Sequence, residues 1–179
     1  LEDIIQDDDY LEDESNLRDS DVIFLPYLVG ERSPHHDVNA RGAFINLSAT
    51  TSRGDMSKAV LEGVTFALKD CLEIAKLSGV HPEFATICGG GARCKTWVQI
   101  VADTLDLPIH ILKTNQGPSY GATMIAMIGD GIYKDAFEAC NKIVKTKEII
   151  TPNKNKMDYY SKKYEIFKKL YPALKELRK

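Results

Sequence analysis

The feature that most constrains the fold of this chain is an alternation of short apolar runs, glycine turns and helical segments over residues 84–129. The run FATI is followed by the turn CGGG and then by the helical pattern CKTWVQIVADTL. A second run, LPIHIL, is followed by the turn NQGPSYG and the small-residue segment ATMIAMIG. Strand–helix–strand–helix order favours parallel pairing of the strands, so the sequence predicts an α/β domain.

The first turn contains three adjacent glycines, Gly89, Gly90 and Gly91. Three glycines in a row are costly, because glycine loses the most conformational freedom on folding. Two explanations stay open: a tight turn, or a turn whose backbone approaches a ligand at a helix N-terminus, which suits a nucleotide. The spacing matches neither GxGxxG nor GxxxxGK[ST], so the common dinucleotide and P-loop motifs are absent from the sequence.

The second turn, Asn115 to Ala122, lies after the next predicted strand. Carboxyl ends of adjacent parallel strands meet at one edge of a sheet, so both turns would face one crevice, where ligands of α/β proteins usually bind. The alternative is that Gly121 only allows a helix to pack closely on its neighbour.

Apolar periodicity predicts three further helical features. The longest core helix is expected between Ser52 and Ser78, capped by Ser52 or Asp55 and stopped at Gly79. Its predicted inward face is Val60, Val64, Ala67, Leu68, Cys71 and Ile74, and the helix after the first turn should bury Trp97, Ile100, Val101 and Leu105. The closing segment NKMDYYSKKYEIFKKLYPALKEL is predicted to be a basic amphipathic helix interrupted near Pro172, and KEIIT a short edge strand.

Composition excludes several classes of protein. The net charge is −3 at a sequence pI near 5.8, which gives no electrostatic preference for nucleic acid. No apolar run is long enough to span a membrane. The four cysteines contain no CxxC pair, so we expect free, buried thiols and a reducing, cytoplasmic location. Residues 1–21 are expected to be an acidic lead-in with a short helix, and residues 22–179 the domain itself.

Several segments together resemble the FGGY carbohydrate kinases: GERSPHHDVNARGAFINLS, AVLEGVTFALKDCLE, CGGGARCKTWVQIVADTL and QGPSYGATMIA. The resemblance runs in the right order from about Val22 to the C-terminus. It implies an actin-like ATPase (ribonuclease H-like) domain, here partial and helix-rich at its C-terminal end. It also implies that the chain is most of the second, C-terminal domain of a longer protein whose N-terminal domain is absent, and the lack of an initial Met favours the same expectation.

The family resemblance also implies a function. The full-length enzyme would use ATP and Mg²⁺ to phosphorylate a ketopentose such as D-xylulose, or alternatively gluconate, glycerol or ribulose. In the family the glycine turn meets the adenosine side of the nucleotide, which carries this role to Gly90, Gly91 and Ala92, with Gly89 shaping the turn. Lys95 stands where relatives often have a short polar residue, so it either approaches a phosphate or points to solvent.

The resemblance implies no catalytic residue and no metal ligand in this chain, because the catalytic Asp and sugar pocket would lie upstream. Asp103 is interpreted as structural because its helix has a core-like face, and Asp130 because it lies between two glycines in a turn. His35, His36 and Asp37 are interpreted as too close in sequence to bind one metal ion without further ligands. Besides ATP and a sugar, the expected partner is the protein's own N-terminal domain, and a homodimer is possible. The rival hypotheses are a non-catalytic actin-like interaction module and, less favoured, a dinucleotide-binding oxidoreductase.

Overall fold

Two small sheets and five α-helices make up the described part of the chain. The computed structural model describes residues 17–114 and 117–178. The predicted helix within residues 1–21 falls mostly on residues 1–16, outside the described residues. The elements in chain order are β1 (Ile23–Leu25), β2 (Ala43–Ile45), α1 (Arg53–Leu77), β3 (Ala85–Ile87), a 3-10 turn (Gly90–Arg93), α2 (Lys95–Leu105), β4 (Ile109–Leu112), α3 (Gly117–Gly129), α4 (Ala136–Ile143), β5 (Thr146–Ile150) and α5 (Lys154–Glu176).

The main sheet has the order β3-β4-β5. Strands β3 and β4 are parallel and β5 is antiparallel to β4, which confirms the predicted parallel pair and the predicted edge strand. The two-stranded antiparallel sheet of β1 and β2 is separate. Because β3 and β4 are parallel, both glycine turns begin at the same edge of the main sheet.

The hydrophobic core lies between the main sheet and helices α1, α2 and α5. Ile109 and Ile111 of β4 pack in one cluster with side chains of all three helices, among them Val98, Phe66 and Phe167. The inward face predicted for α2 is confirmed, because Trp97, Ile100, Val101 and Leu105 are all buried. Burial of this continuous apolar cluster is the main stabilising contribution to the fold.

Helix α1 has the predicted bounds, and its buried face agrees with the predicted face in part. Ser52 caps it through a reciprocal bond with Asp55, which confirms Ser52 as the cap. The predicted inward residues Leu68 and Ile74 are instead exposed, as is Cys71, whereas Leu61 and Phe66 are fully buried. Val60, Val64 and Ala67 are half-buried and pack against the core clusters, so the prediction is confirmed for these three and wrong for Leu68, Cys71 and Ile74. The buried face also carries charged residues, described below, which an apolar period does not count.

Two other predictions are corrected. Helix α5 is not interrupted at Pro172 but runs continuously to Glu176. Proline leaves the carbonyl of Lys168 without its helical donor, and Lys168 is exposed, so water can satisfy that oxygen. The four cysteines are free as predicted, but only Cys94 is buried.

Helices of the described residues include none that combines the length and the apolar character needed to cross a membrane.

Candidate functional site

The glycine turn joins the carboxyl end of β3 to the start of α2. Gly89 adopts a φ of +87°, a left-handed conformation that favours glycine. The backbone N–H of Ala92 donates to the Gly89 carbonyl at 3.2 Å, and Cys94 caps α2 by accepting from the Trp97 N–H at 3.4 Å. The turn is therefore an ordered structure that ends in a helix N-terminus.

Gly91 has a packing role. A Cβ added there would lie 2.0 Å from the Trp97 ring, so no larger residue fits without movement. The ring is fixed on its other side, because its Nε1–H donates to Leu61 O at 3.2 Å and to Thr65 Oγ1 at 3.0 Å. For Gly91 the tight-turn explanation is thus supported by direct contact.

Gly89 and Gly90 line an open side of the same turn. A Cβ at Gly89 would meet no atom within 4 Å, and Gly90 is exposed. Ala92, also in the turn, is only half-buried. This exposed backbone lies beside the N-terminus of α2, where partial positive charge favours an anionic group. The two explanations of the glycine turn therefore apply to different residues. Gly91 is required for tight packing, whereas Gly89 and Gly90 leave the backbone open to a ligand.

Lys95 is the first residue of α2 and is exposed to solvent. Its side chain is 69% exposed, and Nζ lies 3.9 Å from Glu148 Oε1 on β5. A cation in the first helical turn is opposed by the helix dipole, and an exposed ion pair of this length contributes little. The stability of the helix therefore gives no reason for a lysine here.

The second glycine turn is only partly described, since residues 115 and 116 lie outside the described residues. Helix α3 begins at Gly117. A Cβ added at Gly121 would meet no atom within 4 Å, so close packing among the described residues does not explain this glycine. The turn follows β4 at the same sheet edge as the first turn.

The other candidate residues have structural partners. Asp103 Oδ1 accepts from Gln99 Nε2 and from the Asn153 N–H, both at 2.7 Å, which ties α2 to the start of α5. His35 stacks on Tyr171 at 3.8 Å, and Asp37 accepts from the Tyr171 hydroxyl at 2.8 Å. Within residues 17–114 and 117–178, no three His, Cys, Asp or Glu side chains are grouped to hold a metal ion.

A buried ionic cluster between α1 and α5 was missed by sequence reasoning. Lys163 Nζ donates to Glu62 Oε2 at 2.5 Å, and both side chains are almost fully buried. Lys163 also donates to Ser20 O, and Lys58 to Asp19 Oδ1, so the cluster anchors the segment before β1. Burial raises the pKa of the Glu62 carboxyl. The only signal in the sequence was the i, i+4 spacing of Lys58 and Glu62.

A cavity of about 740 Å³ lies next to this cluster and away from the glycine turn. Arg18 and Asp55 form one of its walls through a pair of hydrogen bonds of 3.0 and 2.8 Å. Arg18 holds the pKa of the Asp55 carboxyl well below its usual range. None of the residues that line the cavity belongs to the glycine turn. The cavity is thus separate from the turn at which the candidate ligand site lies.

Comparison with known proteins agrees with this architecture. The chain is 35% identical to a xylulose kinase of Staphylococcus epidermidis over 163 residues, which are 91% of this chain and 33% of that protein. A crystal structure of a xyloylose kinase from Brucella ovis matches with a TM-score of 0.80 at 34% identity, covering 88% of this chain and 33% of that one. A ligand-bound xylulose kinase from Lactobacillus acidophilus matches with a TM-score of 0.80 at 28% identity, covering 93% and 34%.

These likenesses show that the fold is the actin-like ATPase type implied by the sequence resemblance. The chain spans about a third of the length of the curated relatives it matches. Residues 7–129 match the model of the C-terminal domain of the FGGY family of carbohydrate kinases. The match covers more than half of the chain, and the chain therefore belongs to this family.

Proposed function

We propose that this chain is the nucleotide-binding C-terminal part of a longer, ATP-dependent sugar kinase, referred to below as the longer protein. The observation that carries the proposal is the open glycine turn at the carboxyl end of β3, in a chain of the FGGY family. The proposed nucleotide-binding residues are Gly89, Gly90, Gly91, Ala92 and Lys95. The longer protein would transfer the terminal phosphoryl group of ATP to a hydroxyl of the sugar.

The turn can hold a nucleotide by its backbone. Gly89 leaves room for the close approach of a ligand, Gly90 is exposed, and the N-terminus of α2 favours negative charge. Gly91 contributes indirectly, because its contact with Trp97 fixes the turn against the core. For Lys95 we propose a contact with a phosphate, which is supported by its exposed ammonium at the start of α2 and by its loose ion pair with Glu148 at 3.9 Å.

The described residues do not fit a protein-built Mg²⁺ site, since they contain no cluster of three potential ligands. Mg²⁺ is commonly held by one or two carboxylates together with substrate phosphates. The carboxylates for the ion, and the base that accepts the proton from the attacking hydroxyl, are proposed to lie in the other part of the longer protein. We further propose that the longer protein acts in the cytoplasm. The four free cysteines of this chain support this location, because thiols stay reduced there.

Xylulose kinases among the relatives favour a ketopentose such as D-xylulose as the acceptor. The test is ADP release by the longer protein with D-xylulose, ribulose, gluconate and glycerol. We expect the highest kcat/KM with D-xylulose and no turnover by the 179-residue chain alone. Turnover by the chain alone would contradict the proposed position of the base. No turnover by the longer protein with any of the four would contradict the proposal and favour a non-catalytic module.

A further inference from the structure

Several cations lie at the edge of the main sheet where the glycine turn begins. β3 and β4 end at this edge, and β5, which is antiparallel to β4, begins there. The residues at this edge are 88–95, 113–114 and 145–148. Glu148 is their only acidic member. Their cations are all exposed, and we call them the basic rim: Arg93, Lys95, Lys113, Lys145 and Lys147.

The stability of the sheet gives no reason for these charges. The Lys113 N–H donates to Lys145 O at 2.8 Å, so these two lysines continue the pairing of β4 with β5. Like charges on opposite residues of paired strands are destabilising. Lys145 Nζ donates to Asn141 O at 2.9 Å, and Lys95 has the 3.9 Å contact with Glu148. The other three side chains of the basic rim have no ion-pair partner among the described residues. The positive charge of this edge is therefore almost uncompensated there.

A β-bulge at the start of β5 is a second, independent sign that this edge has a function. Ile111 pairs with Glu148 and Leu112 with Thr146, which leaves Lys147 as an extra residue without a partner on β4. A β-bulge bends its strand and is common beside active sites, where it redirects a side chain. In this sheet the extra residue is an exposed cation at the edge that carries the glycine turn.

We propose that the basic rim attracts the negatively charged nucleotide to the glycine turn and so raises the rate at which ATP associates. This inference rests on the proposed function and adds to it three cations outside the proposed binding residues, Arg93, Lys113 and Lys147. Charge of one sign around a site raises the local concentration of a ligand of opposite charge, and with it the association rate, by about 10- to 1000-fold. A ketopentose is uncharged, so the basic rim would act on the nucleotide alone. A nucleic acid is a poorer ligand, because the net charge of the whole chain is −3.

Stopped-flow binding of a fluorescent ATP analogue with Mg²⁺ to the longer protein tests the proposal. Lys113→Gln combined with Lys147→Gln should lower the association rate constant about 3-fold at about 0.1 M salt and leave the dissociation rate constant within about 2-fold. At about 1 M salt, where the Debye length is about 3 Å, the difference in association should disappear. Glu148→Gln removes the acidic residue of this edge and should raise the association rate constant about 1.5- to 3-fold at the lower salt concentration.

Lys134→Gln combined with Lys154→Gln is the matched control, because it removes the same charge from two exposed lysines. Lys134 precedes α4 and Lys154 follows β5, so each is separated from the basic rim by the length of that element, about 12 Å and about 16 Å. The control should change the association rate constant by less than about 1.5-fold at about 0.1 M salt.

Equal association rate constants in the rim variant and the control variant would overturn the inference. A loss that is equally large at about 1 M salt would overturn it too, since attraction over a distance is screened by salt. ADP release by the unaltered longer protein reports separately on the proposed function. Normal release together with equal association rate constants would contradict the basic rim alone, whereas no release would contradict the proposed function and this inference with it.

Discussion

Replacing Gly91 with alanine tests how the glycine turn is held against the core. The new Cβ would lie 2.0 Å from the Trp97 ring, far inside van der Waals contact, so the ring or the turn has to move. Moving the ring strains the bonds from its Nε1–H to Leu61 O and Thr65 Oγ1. Overpacking of a core costs about 1–3 kcal/mol, and a lost hydrogen bond about 1 kcal/mol. We therefore expect Gly91→Ala to lower the free energy of unfolding by about 3 kcal/mol.

Urea unfolding followed by tryptophan emission measures this change directly, because Trp97 is the only tryptophan of the chain. The loss corresponds to a Tm lowered by roughly 6–12 °C, and the native emission should shift as the ring leaves its site. Gly121→Ala is the matched control, since a Cβ there meets no atom within 4 Å and alanine favours a helix by roughly 0.5–1 kcal/mol. A Gly91→Ala variant with unchanged stability and emission would refute the packing role of Gly91.

Three further predictions concern charged residues. Lys163→Met leaves the Glu62 carboxyl buried without its 2.5 Å partner. The variant should lower the free energy of unfolding, measured by urea titration, by about 3–5 kcal/mol. A loss below about 1 kcal/mol would contradict the stabilising role of this ion pair. Arg18 depresses the folded-state pKa of Asp55, so the ion pair stabilises the fold at pH values above the ordinary aspartate pKa, and this stabilisation is lost as the pH falls below that pKa. Asp55→Asn should therefore flatten the decline of the urea midpoint between about pH 5 and 2. An unaltered decline would count against this pair. Lys95→Met should raise the KM for ATP of the longer protein about 2- to 5-fold, because the lost contact would be one between exposed charges. An unchanged KM would mean that Lys95 points to solvent.

The parallel pair of strands and the helix after the glycine turn could be predicted from the sequence. The parallel pairing of β3 and β4 follows from the alternation of strands and helices, and the burial of Trp97 and Val101 from a clean helical period. These features depend on local pattern alone. The position of the glycine turn at the sheet edge follows from them.

The face that α1 buries could be predicted only in part, because tertiary contacts decide the rest. Gly63 allows the helix to lie against β1, where a Cβ would come within 2.2 Å of the Phe24 carbonyl oxygen. The same face buries Glu62, whose charge is compensated by Lys163 about a hundred residues later in the chain. A helical periodicity derived from apolar residues alone does not detect such a buried ion pair.

The position of the glycine turn between β3 and α2 could be predicted from the sequence, but the separate roles of its glycines could not. The glycine run by itself did not distinguish a packing turn from a ligand turn. The contact between Gly91 and the Trp97 ring, and the open space at Gly89, depend on the path of the chain after the turn. The nucleotide-binding residues stay a prediction until binding is measured.

The most direct test of the proposed nucleotide site compares two glycines that share a positive φ. Gly79 at the end of α1 and Gly89 in the turn have φ values of +86° and +87°, and neither has an atom within 4 Å of an added Cβ. Alanine at either position is therefore strained by a positive φ, which residues other than glycine rarely adopt. We predict that in the longer protein Gly89→Ala raises the KM for ATP at least about 10-fold, a loss of about 1.4 kcal/mol, while Gly79→Ala leaves it unchanged. Equal KM values for ATP in the two variants would contradict the proposed site.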